Sequence, residues 1–149
     1  QADRRNEAHF KSLLQFIDEH SLTGQVQLLG LLDRKEQVDV LRHAAAVVQP
    51  SLFEGWSTVV EDVRATGRPI FLSNIPVHLE QNPAHCTYFD AKSDHKVEEL
   101  IASQWTGFLP GPNPASETNA QQALEARILN SARAFCDIVN TSLSDPRFL

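Results

Sequence analysis

Two short apolar runs, Ala44 to Val48 and Ile70 to Leu72, bracket the stretch PSLFEGWSTVVEDVRATGRP, and the pattern between them leaves few folds open. The first run starts small and ends β-branched, so its last part reads as a buried strand. Gly55 and Trp56 then break the periodicity. Ser57 and Thr58 are both helix-start residues, and Val59, Val60 and Val63 supply an apolar helical face. Gly67-Arg68-Pro69 stops that helix before the second strand. Strand, loop, helix, turn and strand is the unit from which parallel sheets are built.

The rest of the chain repeats the alternation. Phe10, Leu13, Leu14 and Ile17 fall at i, i+3, i+4 and i+7, predicting an amphipathic helix over the first twenty residues. Gly24 marks its exit. Val26 to Leu29 reads as a short strand ending at Gly30. Asp33 and Glu36 make a capping box in DRKE, and Val38, Leu41 and Ala45 form the buried stripe of the next helix. Past the central unit, Asn74-Ile75-Pro76 turns the chain, His78 to Gln81 reads as a short helical turn, and Thr87 to Phe89 as the last strand. Ser93 or Asp94 caps a helix running through about Ser103. Gly107, Pro110, Gly111, Pro112 and Pro114 punctuate a loop. Thr118 and Gln121 then open a long final helix to about Thr141, with Leu124, Ile128, Phe135 and Val139 on one face. The expected division is 1–104 as a partial Rossmann-like domain, 105–117 as a Pro/Gly-rich loop, and 118–149 as a C-terminal helix packing on the domain.

Composition removes several classes of function. A chain of 149 residues, 42% of them hydrophobic, is long enough for one globular core. A formal net charge of -6 gives a nucleic-acid role no electrostatic support. No apolar run approaches the roughly 20 residues of a spanning helix. Cys86 and Cys136 are widely separated and lack metal-ligand spacing, so they read as reduced, partly buried thiols. The expectation is a cytoplasmic protein, with peripheral contact at the inner membrane face left open. The chain begins at Gln1 and contains no methionine, so the reading expects a piece of a longer protein.

The chemistry is expected in the loop and first helical turn after the first central strand. In open α/β sheets ligands collect where strand carboxyl ends meet helix N-termini. The N–H groups and dipole of such a helix favour a phosphate. Glu54 lies in the loop and Asp62 one turn into the helix; carboxylates accept hydrogen bonds from sugar hydroxyls. A helix terminus for a diphosphate beside carboxylates for hydroxyls describes a nucleotide-sugar pocket. Glu54 alone has the competing reading of a solvated loop acid. Thr58 and Glu61 form T-x-x-E, which spends Glu61 on a cap and leaves Asp62 on another face. Gly55, Trp56, Ser57 and Thr58 are expected to offer backbone N–H groups to the phosphates and sugar. An ordinary capped turn is the alternative for that loop, and a core anchor the alternative for Trp56. His78, with Glu80 and His85 nearby, reads as a surface histidine rather than part of a catalytic or metal site. Arg34, Lys35, Arg64 and Arg68 read mostly as solvated basic residues.

Pro50, Ser51, Glu54, Gly55, Trp56, Ala65, Gly67 and Pro69 together resemble the donor-binding signature of the retaining glycosyltransferases of group 1 (family 4). That signature has a PS pair, an acidic-Gly-aromatic triplet and a second acid after seven intervening residues. Here the second acid is Asp62 where the family usually has Glu, Ser57 stands where Gly is common, and Trp56 where Phe is commoner. The resemblance spans roughly Leu28 to Leu100. It implies an α/β, Rossmann-like parallel sheet with flanking helices, the C-terminal, donor-binding half of a two-domain GT-B glycosyltransferase. It further implies that the first two strands of that domain are not in this chain. Glu54 then corresponds to the catalytic acid at the donor sugar and Asp62 to the ribose ligand, with Ser51, Gly55, Trp56, Ser57 and Thr58 completing the donor site.

The implied donor is UDP- or GDP-linked, with no cofactor and no metal. Its hydroxyl acceptor binds a missing N-terminal domain. With order 3-2-1-4-5-6 the strand at Val26 would stand apart from the strand at Val47, so a swapped or strand-completing partner chain is expected to fill the gap. By this reading the 149 residues alone are inactive. Two rivals remain open: a non-catalytic nucleotide-sugar-binding module, and a flavodoxin-like or receiver-type interaction module.

Overall fold

A computed structural model of the chain describes residues 6–93 and 96–143, with Asp94, one of the two expected helix caps, outside the described residues. The chain divides into two compact units, residues 1–37 and 38–149.

In the smaller unit, helix α1 (Glu7–Glu19) starts at Asn6, whose side chain accepts from the His9 N–H at 3.2 Å. Ile17 is buried, as the amphipathic stripe requires, and Phe16 stacks on His20 with ring centroids 4.0 Å apart. The expected strand at Val26 to Leu29 is absent: the segment has no regular structure, and Val26, Leu28 and Leu29 are exposed. A strand exists only where a neighbour satisfies its backbone, and among the described residues no strand pairs with this one. The expected capping box is present. Asp33 Oδ1 accepts from the Glu36 N–H and Glu36 Oε2 from the Asp33 N–H, both at 2.8 Å, at the start of α2 (Arg34–His43).

The larger unit is built on a three-stranded parallel sheet, order β1-β2-β3, with β1 Val47–Gln49, β2 Ile70–Ser73 and β3 Cys86–Phe89. Val47 pairs with Ile70 and Ile70 with Cys86, so the three strands begin together, and β1 stops one residue before its neighbours. All four β2 residues are buried, as expected of a central parallel strand covered on both faces. Helix α3 (Thr58–Thr66) lays Val60 and Val63 against Ile70 and Leu72, with Leu41, Val47, Val59, Cys86 and Tyr88 packed around them. On the other face Phe71 meets Phe108 edge-on at 5.6 Å. The α/β alternation and the small parallel sheet are consistent with a Rossmann-like fold.

Two helices differ from expectation at their starts. Helix α4 (Pro76–Gln81) uses Pro76 in its first turn, where the missing N–H costs nothing. After α5 (Lys96–Gln104) and a single 3₁₀ turn, Trp105–Gly107, helix α6 begins at Pro114 rather than Thr118 and runs to Leu143. Asn113 is the reason. Its side chain accepts from the Ser116 N–H at 3.0 Å, and Pro114 follows it as a preorganised first residue. Cys136 on α6 is exposed, not partly buried. Among the described residues no helix is long and apolar enough to cross a membrane.

Candidate functional site

The carboxyl edge of the sheet carries the polar cluster. Gln49 ends β1, and the chain turns through Ser51 and Glu54 before Ser57 opens α3. Gln49 Nε2 donates to Glu54 Oε1 at 2.6 Å and to Ser51 Oγ at 3.1 Å. Ser51 Oγ donates to the same Glu54 oxygen at 2.5 Å. The Glu54 side chain is 19% exposed, so it is ordered from below while one side stays open to solvent. Burial pushes its carboxyl up, but the Ser51 hydroxyl, the Gln49 amide, the Ser57 hydroxyl and the nearby His78 together outweigh burial and hold it below the ordinary glutamate range. An ionised, preorganised carboxylate accepts hydrogen bonds and stabilises developing positive charge.

Behind the cluster, Ser73 at the end of β2 donates its hydroxyl to the Ser51 carbonyl at 2.6 Å, tying the loop to the central strand. His78 on α4 is 0% exposed, correcting the surface reading of this histidine. Its Nδ1 lies 2.9 Å from the Ser73 carbonyl, and its Nε2 lies 3.8 Å from Glu54 Oε1.

The helix terminus is more occupied than the residue pattern implies. Ser57, not Thr58, is the N-cap of α3, and its hydroxyl makes no capping bond. That hydroxyl is buried with no partner at hydrogen-bond distance, yet lies near enough to Glu54 to help lower its carboxyl. Gln81 brackets Ser57 from α4: Oε1 accepts its N–H at 3.3 Å and Nε2 donates to its carbonyl at 2.9 Å. The Ser57 N–H is therefore already spent. The Thr58/Glu61 capping box does not form: Ser57 is the N-cap, and Glu61 is taken up by Arg64 on its own helix and by Gln81 and Arg127. It takes two hydrogen bonds from Arg64 at 2.7 and 2.8 Å, one from Arg127 at 3.1 Å and one from Gln81.

Asp62, the next residue, is half-buried on α3 and turned about 100° from Glu61. Trp56 is 53% exposed, which removes the core-anchor alternative, and Gly55 is exposed with nothing within 4 Å of where a Cβ would stand. Beside them a cleft of about 460 Å³ is lined by Trp56, Arg64, Glu80, Gln81 and Arg127. Arg64 and Arg68 are not solvated basic residues. Arg64 also donates to the Gln81 carbonyl, and Arg68 is buried beneath the loop before α6.

Gln49, Ser73 and Gln81 carry no reading from the sequence alone, and His78 reads there only as a surface residue. One signal was present for the first: a glutamine closing an otherwise apolar strand just before the loop.

No protein-family model matches the sequence, and no solved structure matches the chain. A sucrose synthase of Nitrosomonas europaea is 28% identical over 118 residues, a match covering 74% of this chain and 15% of that protein. The chain thus spans less than a sixth of its relative's length. The likeness supports a glycosyltransferase-type relationship.

Proposed function

We propose that this chain forms part of the donor-binding half of a retaining GT-B glycosyltransferase of family 4, acting on a UDP- or GDP-linked sugar. One observation carries the reading. Glu54 is held ionised and half open at the carboxyl edge of a parallel sheet, one loop away from a helix N-terminus. In this proposal Glu54 takes donor-sugar hydroxyls and supports the charge that grows at the anomeric carbon. Ser51 orders it, Asp62 takes the ribose, and Gly55, Trp56 and Thr58 line the diphosphate and sugar at the start of α3. The Ser57 N–H is committed to Gln81, so the diphosphate relies on its neighbours. Arg64 and Arg68 are engaged within the fold, so the cations that neutralise the diphosphate come from another part of the enzyme or a partner chain. The hydroxyl acceptor binds a separate domain.

The experiment is a calorimetric titration of UDP-glucose, GDP-mannose and ADP-glucose against the full native protein and its Asp62→Ala and Glu54→Gln variants. One nucleotide class should bind, with binding weakened in Asp62→Ala and transfer slowed roughly 10- to 100-fold in Glu54→Gln. Equal affinity of all three proteins for every nucleotide sugar would overturn it.

A further inference from the structure

The donor-binding reading gives His78 no task, yet the ring is fully buried against the residue that reading depends on. Its proton placement follows from its neighbours. Nδ1 lies 2.9 Å from the Ser73 carbonyl and 3.1 Å from Ser73 Oγ. The Ser73 hydroxyl has one proton, and it points to the Ser51 carbonyl at 2.6 Å. Both Ser73 oxygens can therefore only accept from the ring, so Nδ1 carries the hydrogen. In the neutral ring Nε2 is then a bare acceptor.

Nε2 is sealed from solvent, has no hydrogen-bond partner, and faces Glu54 Oε1 at 3.8 Å. Two acceptors facing each other without water repel. A proton on Nε2 reverses the sign and turns the contact into a charge-assisted N–H donor aimed at the carboxylate. The other ionisable groups around α4 do not compete for the ring. From α3, Glu61 and Arg64 pair with each other and reach α4 at Gln81. From β3, Tyr88 donates to the His78 carbonyl at 3.1 Å, and burial with Cys86 pushes its phenol up to about 12. On α4 itself, Glu80 is exposed.

We propose that His78 is a positioning residue for Glu54, protonated on Nε2 to hold the carboxylate in place and releasing it when neutral. The consequence for catalysis rests on the donor-site reading; the His78–Glu54 pairing does not. A Gln at position 78 can place an uncharged N–H near the Nε2 position, giving a hold that does not titrate.

The test is NMR on the full native chain without ligand, using glutamate labelled at ¹³Cδ and histidine labelled with ¹⁵N. In the wild type the Glu54 Cδ signal should show two inflections, its own and one that coincides with the His78 nitrogens. His78→Gln should remove the second inflection, and His78→Leu should raise the apparent Glu54 pKa. Identical Glu54 titrations in wild type and His78→Gln would overturn the proposal. The ¹⁵N spectrum needs no variant and guards against a Leu substitution that does not fold. It should show the Nδ1–H tautomer in the neutral ring, and an Nε2–H tautomer would also overturn the proposal. UDP-glucose and GDP-mannose titrations on the same samples separate the two ideas. Absence of nucleotide binding beside the double inflection defeats the donor reading alone.

Discussion

The two edges of the β-sheet bury polar side chains in opposite ways. At the amino edge, Arg68 is 4% exposed and donates to the carbonyls of Leu109, at 3.1 Å, and Gly111. Gly67 sits in the left-handed region at φ +64°, where a Cβ would lie 2.6 Å from the Ser116 carbonyl oxygen. Arg42 closes the edge with two hydrogen bonds to Glu117, at 3.0 and 2.9 Å. There fixed backbone meets fixed side chain, apart from an unpaired Arg68 Nε. At the carboxyl edge, Ser57 Oγ and His78 Nε2 are buried without partners, and Glu54 is ordered on one side and open on the other. Native proteins satisfy most buried polar atoms, so unsatisfied ones gathered around a carboxylate mark an edge arranged for work rather than for closure.

The sharpest way to break this contrast is to damage each edge once. Gly67→Ala forces a side chain into a left-handed residue pressed against Ser116 backbone. Strain of about 1–3 kcal/mol and overpacking of similar size add to a loss of roughly 3 kcal/mol or more. Denaturant unfolding should show it. Glu54→Gln should do the reverse. It keeps size and one acceptor but removes the charge, so kcat/KM should fall roughly 10- to 100-fold, the equivalent of a charge-assisted hydrogen bond, with the unfolding midpoint little changed. Equal stability losses from the two variants would erase the distinction between the edges.

What sequence revealed follows the same division. The βαβ unit around α3 was legible because its signals are local: apolar runs, a helix face, and Gly-x-Pro at the stop. The placement of Glu54 in the loop was legible too, since only chain order is needed. The burial of His78 was not, because it depends on α4 folding back over the end of β2. Glu61 misled for a related reason. A local capping pattern lost to Arg64 one turn on, reinforced by Gln81 and by Arg127, 66 residues away. Val26 to Leu29 has strand-like residues, but a strand also needs a neighbour, which composition does not report. The start of α6 at Asn113-Pro114 carries its own local signal, a capping Asn before Pro, which the surrounding prolines disguise as loop.

A smaller effect sharpens the contrast within the carboxyl edge. Gln81 is buried and holds both the N–H and the carbonyl of Ser57. Gln81→Leu should leave those groups unsatisfied at a cost of about 1–3 kcal/mol. It should also free the Ser57 N–H, so nucleotide-sugar affinity should rise or hold while stability falls. Proportional loss of both would make Gln81 a plain structural residue.

The smallest expected effect is the dependence of the carboxyl edge on acid. The Glu54 carboxyl is held below its ordinary range in the folded protein, so the unfolded chain binds its proton more tightly. Its contribution to stability is then fully present above the unfolded value, near 4.3 for a free glutamate, and is lost as pH falls through the lower folded value. The slope should be shallow, because burial opposes the hydrogen bonds that lower the pKa. Unfolding midpoints measured from pH 6 down to pH 3 should therefore fall slightly more for the wild type than for Glu54→Gln. The two curves should converge at the acid end, where both side chains are neutral. Glu117 at the amino edge supplies the internal control. Its carboxyl is lowered too, chiefly by its hydrogen bond to Arg42, but the pair is solvated and salt screens it. Raising ionic strength should flatten the Glu117 part of the acid slope and leave the Glu54 part nearly intact, because it is held chiefly by neutral donors and by a His78 buried away from salt.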